Sequence, residues 1–172
     1  APADSDTSAP TSPQTGDNSN LGLWMILSVL SCCSMIALLV IEKKKKITKP
    51  TPEKFVSSSG IEISVGKNNK QNDYLTFKLS KKSDLWFHTK DIPGSHVVIH
   101  HDNPDEETIR EAAMLSAYYS KARNSSSVPV DYTEIRHVKK PSGSKPGFVI
   151  YFEQKTIYIT PDEALLLKLK TK

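Results

Sequence analysis

Cysteine is almost absent from this 172-residue chain, and the two cysteines present, Cys32 and Cys33, are adjacent. Adjacent cysteines inside an apolar run supply neither a disulfide framework nor a zinc site for a folded domain, so a reducing, cytosolic setting is expected. Two further motifs are missing. No glycine-rich phosphate loop follows a strand and opens a helix, and no serine or cysteine nucleophile elbow is visible. The sequence therefore predicts a protein that is not an enzyme and needs no cofactor.

Charge is missing from one long segment near the N-terminus. Residues 1–20 are small and polar, which predicts a disordered arm, whereas Leu21–Ile41 is uncharged and apolar over the length that crosses a bilayer. Lys43–Lys46 follow this segment, and a secretory signal peptide would instead carry its basic region in front. The pattern predicts a single transmembrane helix over 21–41, a linker over 42–53, and a cytoplasmic C-terminal domain.

The arm contains a short motif, Ser12-Pro13-Gln14-Thr15-Gly16. Followed by an apolar span and lysines, it resembles a Gram-positive sortase sorting signal, with Ser12 where leucine is usual. The likeness implies cleavage after Thr15. Such signals normally end a chain at the basic tail, whereas this chain continues to Lys172 and does not begin with methionine. A fragment, or a join of two unrelated reading frames, is the alternative expectation, and the C-terminal domain is then simply cytoplasmic.

The remaining segment, 54–172, alternates strand-like runs with one long helical stretch. Asn103 as N-cap, Pro104 and three acids predict a helix over Pro104–Arg123, and Pro161 opens a short second helix ending near Leu169. The predicted strands are 55–56, 61–65, 74–79, 85–87, 97–99, 128–132, 133–138, 148–152 and 156–159, with the first two and the last two as hairpins. We expect an α+β fold, with a bent, largely antiparallel sheet of six or seven strands and the main helix on one face.

The segment Asp84–Ile99 holds two apolar runs around a polar turn. Pro93 and Gly94 predict a type II turn over Ile92–Ser95, with a left-handed Gly94. Its free amides, together with Lys90, Ser95, His88 and His96, are a candidate phosphate site. The alternative is that these residues only shape a tight strand connection. Trp86 and Phe87 are expected in the core.

Three other polar segments carry candidate phosphate-binding groups. They are the loop Gly66–Asp73 with Lys67, Asn69, Lys70 and Asn72, the helix end with Lys121 and Arg123, and the last loop with Lys139, Lys140, Ser142 and Lys145. Asparagines also suit left-handed backbone, and cations suit a helix C-terminus, so a purely structural role is the alternative. The net charge is +4. Because all these segments end strands or helices, we expect them to converge at one rim and bind the backbone of a nucleic acid with little sequence preference.

Five motifs in series resemble one known family. They are Gly66–Asp73, Trp86–His96, Tyr119–Arg123, Val128–Thr133 and Val138–Gly147. In this order they are similar to the NFACT-R domain, the C-terminal module of the RqcH/FbpA-like ribosome quality-control proteins, also known as fibronectin-binding proteins. The resemblance spans roughly Lys54–Pro161. It implies binding of RNA, either tRNA or the large ribosomal subunit, during quality control of stalled nascent chains.

Three alternatives stay open on the sequence alone. Imidazoles and carboxylates gather in one region and can bind a metal or do acid–base work. These are His88, His96, His100, His101, Asp84, Asp91 and Asp102. The sorting-like signal, together with the fibronectin-binding name of the family that the motifs resemble, favours a surface adhesin. The basic face also suits a membrane-tethered DNA-binding protein.

Overall fold

The structure, a computed structural model, describes residues 25–27, 29 and 49–170. Residues 25–27 and 29 are helical and exposed. Within the described part, no helix is long and apolar enough to cross a bilayer. The predicted arm over 1–20, its Ser12–Gly16 motif, and all but four residues of the predicted span 21–41 lie outside the described residues.

Residues 49–170 form an α+β unit built on a six-stranded antiparallel sheet. Its strands are β1 (Glu53–Val56), β2 (Glu62–Val65), β3 (Leu85–Thr89), β4 (Val97–Ile99), β5 (Val128–Glu134) and β8 (Lys155–Ile159), in the order β1-β2-β4-β3-β5-β8. β6 (Val138–Lys139) and β7 (Ile150–Tyr151) form a separate two-stranded ribbon. The predicted antiparallel sheet and its β1–β2 hairpin are confirmed.

The main helix, α2 (Glu106–Tyr118), lies across one face of the sheet. Its N-cap is Asp105, not the predicted Asn103, because the Asp105 carboxylate accepts the Thr108 amide at 2.8 Å. Ala112, Ala113 and Ala117 are fully buried, as expected for small side chains that let a helix approach a sheet closely. α2 ends five residues before the predicted Arg123.

The predicted strand over Tyr74–Leu79 is wrong. The structure has a short helix, α1 (Asn69–Tyr74), that continues into a π-helical turn over Leu75–Leu79. Asn68 caps α1 by accepting the Gln71 amide at 3.0 Å. Leu75 and Thr76 are both fully buried although adjacent, which a strand with one buried face does not allow.

The predicted hairpin between 148–152 and 156–159 is also wrong. β7 pairs with β6, and β8 pairs with β5. Glu153, with a φ of 54°, lies where the chain passes from the ribbon to the sheet. The predicted strand over 133–138 is likewise divided, since β5 ends at Glu134 and a 3-10 turn follows before β6.

The sheet has a core on each face, and β3 contributes to both. Phe87 packs in the larger core under α2, and Trp86 packs in the smaller core with Leu75, Val98 and Val138. Neighbouring strand residues point to opposite faces, so this pair divides between the two cores. Both side chains are fully buried, which confirms their expected core positions. The π-helical turn and the ribbon cover the second face. The short C-terminal helix, α3 (Glu163–Leu169), is close to its predicted range.

Candidate nucleic-acid interface

The turn between β3 and β4 has a different geometry from the type II turn predicted for it. Gly94 is not among the residues with positive φ, whereas Asp91 has a φ of 55°. A Cβ on Gly94 would lie 2.8 Å from Thr89 Oγ1 and 2.9 Å from Ser120 Cβ. Glycine is therefore required here for a close approach of two segments and not for a left-handed backbone.

The first polar segment is attached to this turn through a buried asparagine. Asn72 in α1 accepts the His96 amide at 3.1 Å, and its side-chain amide donates to the Gly94 carbonyl at 3.4 Å. Asn72 is 4% exposed. Its side chain thus holds the turn against α1, and it has no free surface for a phosphate.

The last polar loop meets both of these segments. Lys140 Nζ lies 2.5 Å from Asp73 Oδ1, and the same carboxylate oxygen accepts the Gly147 amide at 3.3 Å. The backbone of Gly147 also lies beside the His96 imidazole. The loop over 140–147 is therefore fixed to the end of α1 and lies next to the turn between β3 and β4.

The end of α2 completes the set of contacts. The Ser95 amide donates to the Tyr119 carbonyl and the Lys121 amide to the Pro93 carbonyl, both at 3.1 Å. Lys67 lies with its ammonium 5.3 Å from the centre of the Tyr119 ring and pairs with Glu53. Four segments far apart in sequence, 66–73, 88–96, 119–121 and 139–147, are thus in contact, and we call this edge of the domain the loop edge.

Two histidines lie inside the loop edge and not on its surface. His96 is 1% exposed, and its Nδ1 is 2.8 Å from Thr76 Oγ1. Burial, together with the neighbouring His88, lowers the pKa of His96 to about 3. Burial also lowers the pKa of His88, whose ring stacks on Trp86 at 5.7 Å. Both imidazoles are therefore neutral at physiological pH and add no positive charge to a phosphate site.

The predicted binding residues now separate by exposure. Asn72, Ser95 and His96 are buried, and His88 is largely covered. Lys67 and Lys140 are exposed in part but are paired with Glu53 and Asp73. The exposed members with no ion pair among residues 49–170 are Asn69, Lys70, Lys90, Lys121, Lys139, Ser142 and Lys145.

Arg123 is directed elsewhere. Its guanidinium lies 3.9 Å from the centre of the Tyr118 ring and 3.2 Å from Glu163 Oε1, at the start of α3. Glu163 also accepts from the Tyr118 hydroxyl at 3.1 Å. These contacts tie the end of α2 to α3, which gives Arg123 a structural partner outside the loop edge.

The acid–base alternative can be examined at Asp84 and His100. His100 Nδ1 lies 3.0 Å from Asp84 Oδ2, and His100 Nε2 lies 2.9 Å from Ser64 Oγ. This is the hydrogen-bond order of a serine hydrolase triad, and sequence spacing gave no sign of Ser64. Ser64, however, is 2% exposed in β2, a strand paired on both sides, so the nearby amides face neighbouring strands and not an oxyanion. These hydrogen bonds instead link β2, the end of β4 and the start of β3, which is a structural role.

The loop edge lies within a domain of known kind. The family model described as NFACT protein RNA binding domain matches residues 52–151. The chain belongs to this family, a class of RNA-binding modules.

The chain is also similar in sequence to individual proteins. The chain is 60% identical over 129 residues to the Rqc2 homolog RqcH of Bacillus subtilis (strain 168), a match covering 75% of this chain and 23% of that protein. It is 52% identical over 130 residues to the Rqc2 homolog RqcH of Streptococcus suis, covering 74% and 24%. The chain thus spans about a quarter of the length of these relatives.

A solved structure has the same fold. It is the C-terminal part of the fibronectin/fibrinogen-binding protein from Streptococcus suis, with a TM-score of 0.70 and 51% identity, covering 75% of this chain and 54% of that one. The resemblance found in the sequence motifs is confirmed at the level of the family.

Proposed function

We propose that the domain over 49–170 binds the sugar–phosphate backbone of RNA at its loop edge, within ribosome-associated quality control. The observation that carries the proposal is the contact of four basic, polar segments with one another, through the turn between β3 and β4 and through Asp73 at the end of α1. Ammonium groups on such an edge displace counterions from RNA, which gives affinity with little dependence on sequence.

The proposal divides the sequence-predicted residues into two roles. Lys70, Lys90, Lys121, Lys139 and Lys145 contact phosphates, with Asn69 and Ser142 as hydrogen-bonding groups that set register. Asn72, Ser95 and His96 hold the segments together. Lys67 and Lys140 are shared between protein carboxylates and RNA, and Arg123 contributes only to the general positive field.

The RNA partner is tRNA or the large ribosomal subunit. Support comes from the two relatives whose names describe them as Rqc2 homologs, and from the lysines of the edge, whose ammonium groups attract phosphates of any sequence. A backbone-binding edge suits structured RNA because phosphates are displayed on the outside of a helix. We propose no catalytic step and no cofactor for the domain.

Equilibrium filter binding of the full 172-residue chain to tRNA, and co-sedimentation with large subunits, test this function. We expect binding to both RNAs to weaken steeply between low and moderate salt. A DNA duplex of equal length is the control for polymer type, and soluble fibronectin is the control for the adhesin alternative. No RNA binding at low salt, or tighter binding to fibronectin than to RNA, would reject the proposal.

A further inference from the structure

An apolar stripe lies on the solvent side of the β6–β7 ribbon, and neither the loop edge nor the two cores use it. Phe148 is 57% exposed, Ile150 is 42% exposed and Phe152 is 49% exposed. Val149 and Tyr151, which alternate with them, pack into the core around Trp86. The alternation of exposed and packed side chains therefore leaves three large apolar residues on the outer surface of β7 and of the residues that flank it. We call them the ribbon stripe.

The backbone of the ribbon stripe is held in place. The Phe148 amide donates to the Lys145 carbonyl at 3.1 Å, and the Phe152 amide donates to the His137 carbonyl at 3.2 Å. Thr133 Oγ1 also donates to the Phe152 carbonyl at 3.0 Å. A fixed backbone lowers the conformational entropy that a partner would remove on binding to the rings.

Cations adjoin the stripe. Lys139 Nζ lies 5.6 Å from the centre of the Phe152 ring, and Lys145 is the residue whose carbonyl holds Phe148. Glu153 is the acid next to Phe152 in the chain, and it lies 3.6 Å from His137. An apolar protein surface docked here would strip water from the Lys139 ammonium without replacing it, at a cost. A phosphate beside a stacked base would instead neutralise that ammonium.

The exposed rings select the form of the ligand. An aromatic side chain stacks on the face of a base, and base faces are accessible where bases are unpaired, as in an extended single strand or an open loop. Paired bases inside an RNA duplex do not expose their faces to a protein surface.

We propose that Phe148 and Phe152, with Ile150 between them, form a stacking surface for unpaired RNA bases, next to the loop edge that holds the backbone. The proposal rests on the proposed function, since the lysines supply the phosphate contacts. It goes beyond that function by adding a second kind of contact and by naming unpaired segments of the RNA, such as open loops, as what the ribbon stripe contacts.

The test compares two oligoribonucleotides of about ten nucleotides that differ only in their bases. One carries bases throughout, and the other carries abasic riboses with the same number of phosphates. We expect the wild-type chain to bind the base-containing strand at least about tenfold more tightly in fluorescence anisotropy, since stacking contributes at each base. The double variant Phe148→Ala, Phe152→Ala should lose this preference and keep the salt dependence of the wild type.

Two further variants control for folding and for surface area. The pair Phe148→Leu, Phe152→Leu keeps apolar bulk without a ring, and it should also lose most of the preference. Tyr158→Ala removes an aromatic ring that is 67% exposed on β8, outside the stripe, and it should keep the preference.

The failures of the two proposals are distinguishable. A wild-type chain that binds both oligonucleotides equally well, or a preference that survives in both double variants, overturns the stacking surface and leaves the stripe to a protein partner. A wild-type chain that binds neither oligonucleotide overturns the RNA function itself.

Discussion

Lys140 and Asp73 form an ion pair, with Nζ 2.5 Å from Oδ1, that joins the last polar loop to the end of α1. Both side chains are about one-third exposed. The Asp73 carboxylate therefore competes with any phosphate that approaches Lys140, and it places a negative charge on an otherwise basic edge.

Replacing this carboxylate should strengthen RNA binding. Asp73→Asn removes the negative charge and keeps an oxygen that can accept the Gly147 amide, which donates to Asp73 at 3.3 Å. We expect tighter binding to tRNA and a steeper dependence of affinity on salt, because Lys140 becomes available for a phosphate. Asp102→Asn is the matched control, since it makes the same charge change at an exposed position beyond the other end of β4. Equal gains in the two variants would show that only net charge matters.

The two asparagines of α1 should behave differently. Asn72→Ala removes the acceptor of the His96 amide and should lower the free energy of unfolding by about 1–3 kcal/mol, since it leaves a buried donor unpaired. Asn69→Ala, on the exposed side of the same helix, should change it by less than about 0.5 kcal/mol. Urea denaturation measures both. If the two variants are equally stable, Asn72 does not hold the turn.

His96 should make stability depend on acid. Its pKa is about 3 in the folded chain and near 6.5 when unfolded, so below pH 6.5 the unfolded state binds a proton that the folded state does not. The contribution of the neutral His96 to the free energy of unfolding is fully present above pH 6.5. It is lost as the pH falls toward 3, by at most about 1.4 kcal/mol per pH unit. His96→Gln cannot titrate and serves as the reference. The urea midpoints of the wild type and of His96→Gln, measured from about pH 7 to pH 4, should converge or cross as the pH falls. Parallel curves for the two proteins would contradict the burial of a neutral imidazole.

The contact between Ser64 and His100 should prove structural. Ser64→Ala removes the hydrogen bond to His100 Nε2 and should cost about 1 kcal/mol of stability, with RNA affinity unchanged. A fluorophosphonate probe, which labels activated serines, should not label the wild-type chain. Labelling that disappears in Ser64→Ala would revive the hydrolase alternative.

Sequence patterns predicted where the strands lie better than they predicted which strands pair. Alternation and β-branched runs located β1 to β5, because strands with one or two buried faces leave that signal. The segment over 74–79 also alternates in polarity, but Asn68 caps a helix before it and the buried core around Trp86 receives Leu75 and Thr76 together. Local pattern cannot reveal which distant strand will pair, so the separation of β7 from β8 was missed.

At the candidate site, sequence located the segments but not which of their side chains are buried. Sequence identified the polar segments, since glycine, proline, asparagine and lysine concentrate there. It could not distinguish Asn72 from Asn69, or His96 from an exposed histidine, because burial depends on segments more than twenty residues away. The sequence also gave no indication that Phe148 and Phe152 are exposed, since an apolar residue carries no local sign of which face of a ribbon it occupies.

The central claim, that the loop edge binds the RNA backbone, is tested most directly by the salt dependence of tRNA affinity in two matched double variants. Lys90 and Lys121 flank the central turn, whereas Lys81 and Lys82 precede β3 at the opposite end of the same strand. In a plot of log affinity against log salt concentration, the slope for Lys90→Ala, Lys121→Ala should be smaller in magnitude by roughly 0.7 to 0.9 for each phosphate that the variant no longer neutralises. The slope for Lys81→Ala, Lys82→Ala should stay near that of the wild type. Equal slopes in the two variants would contradict the loop edge as the binding surface.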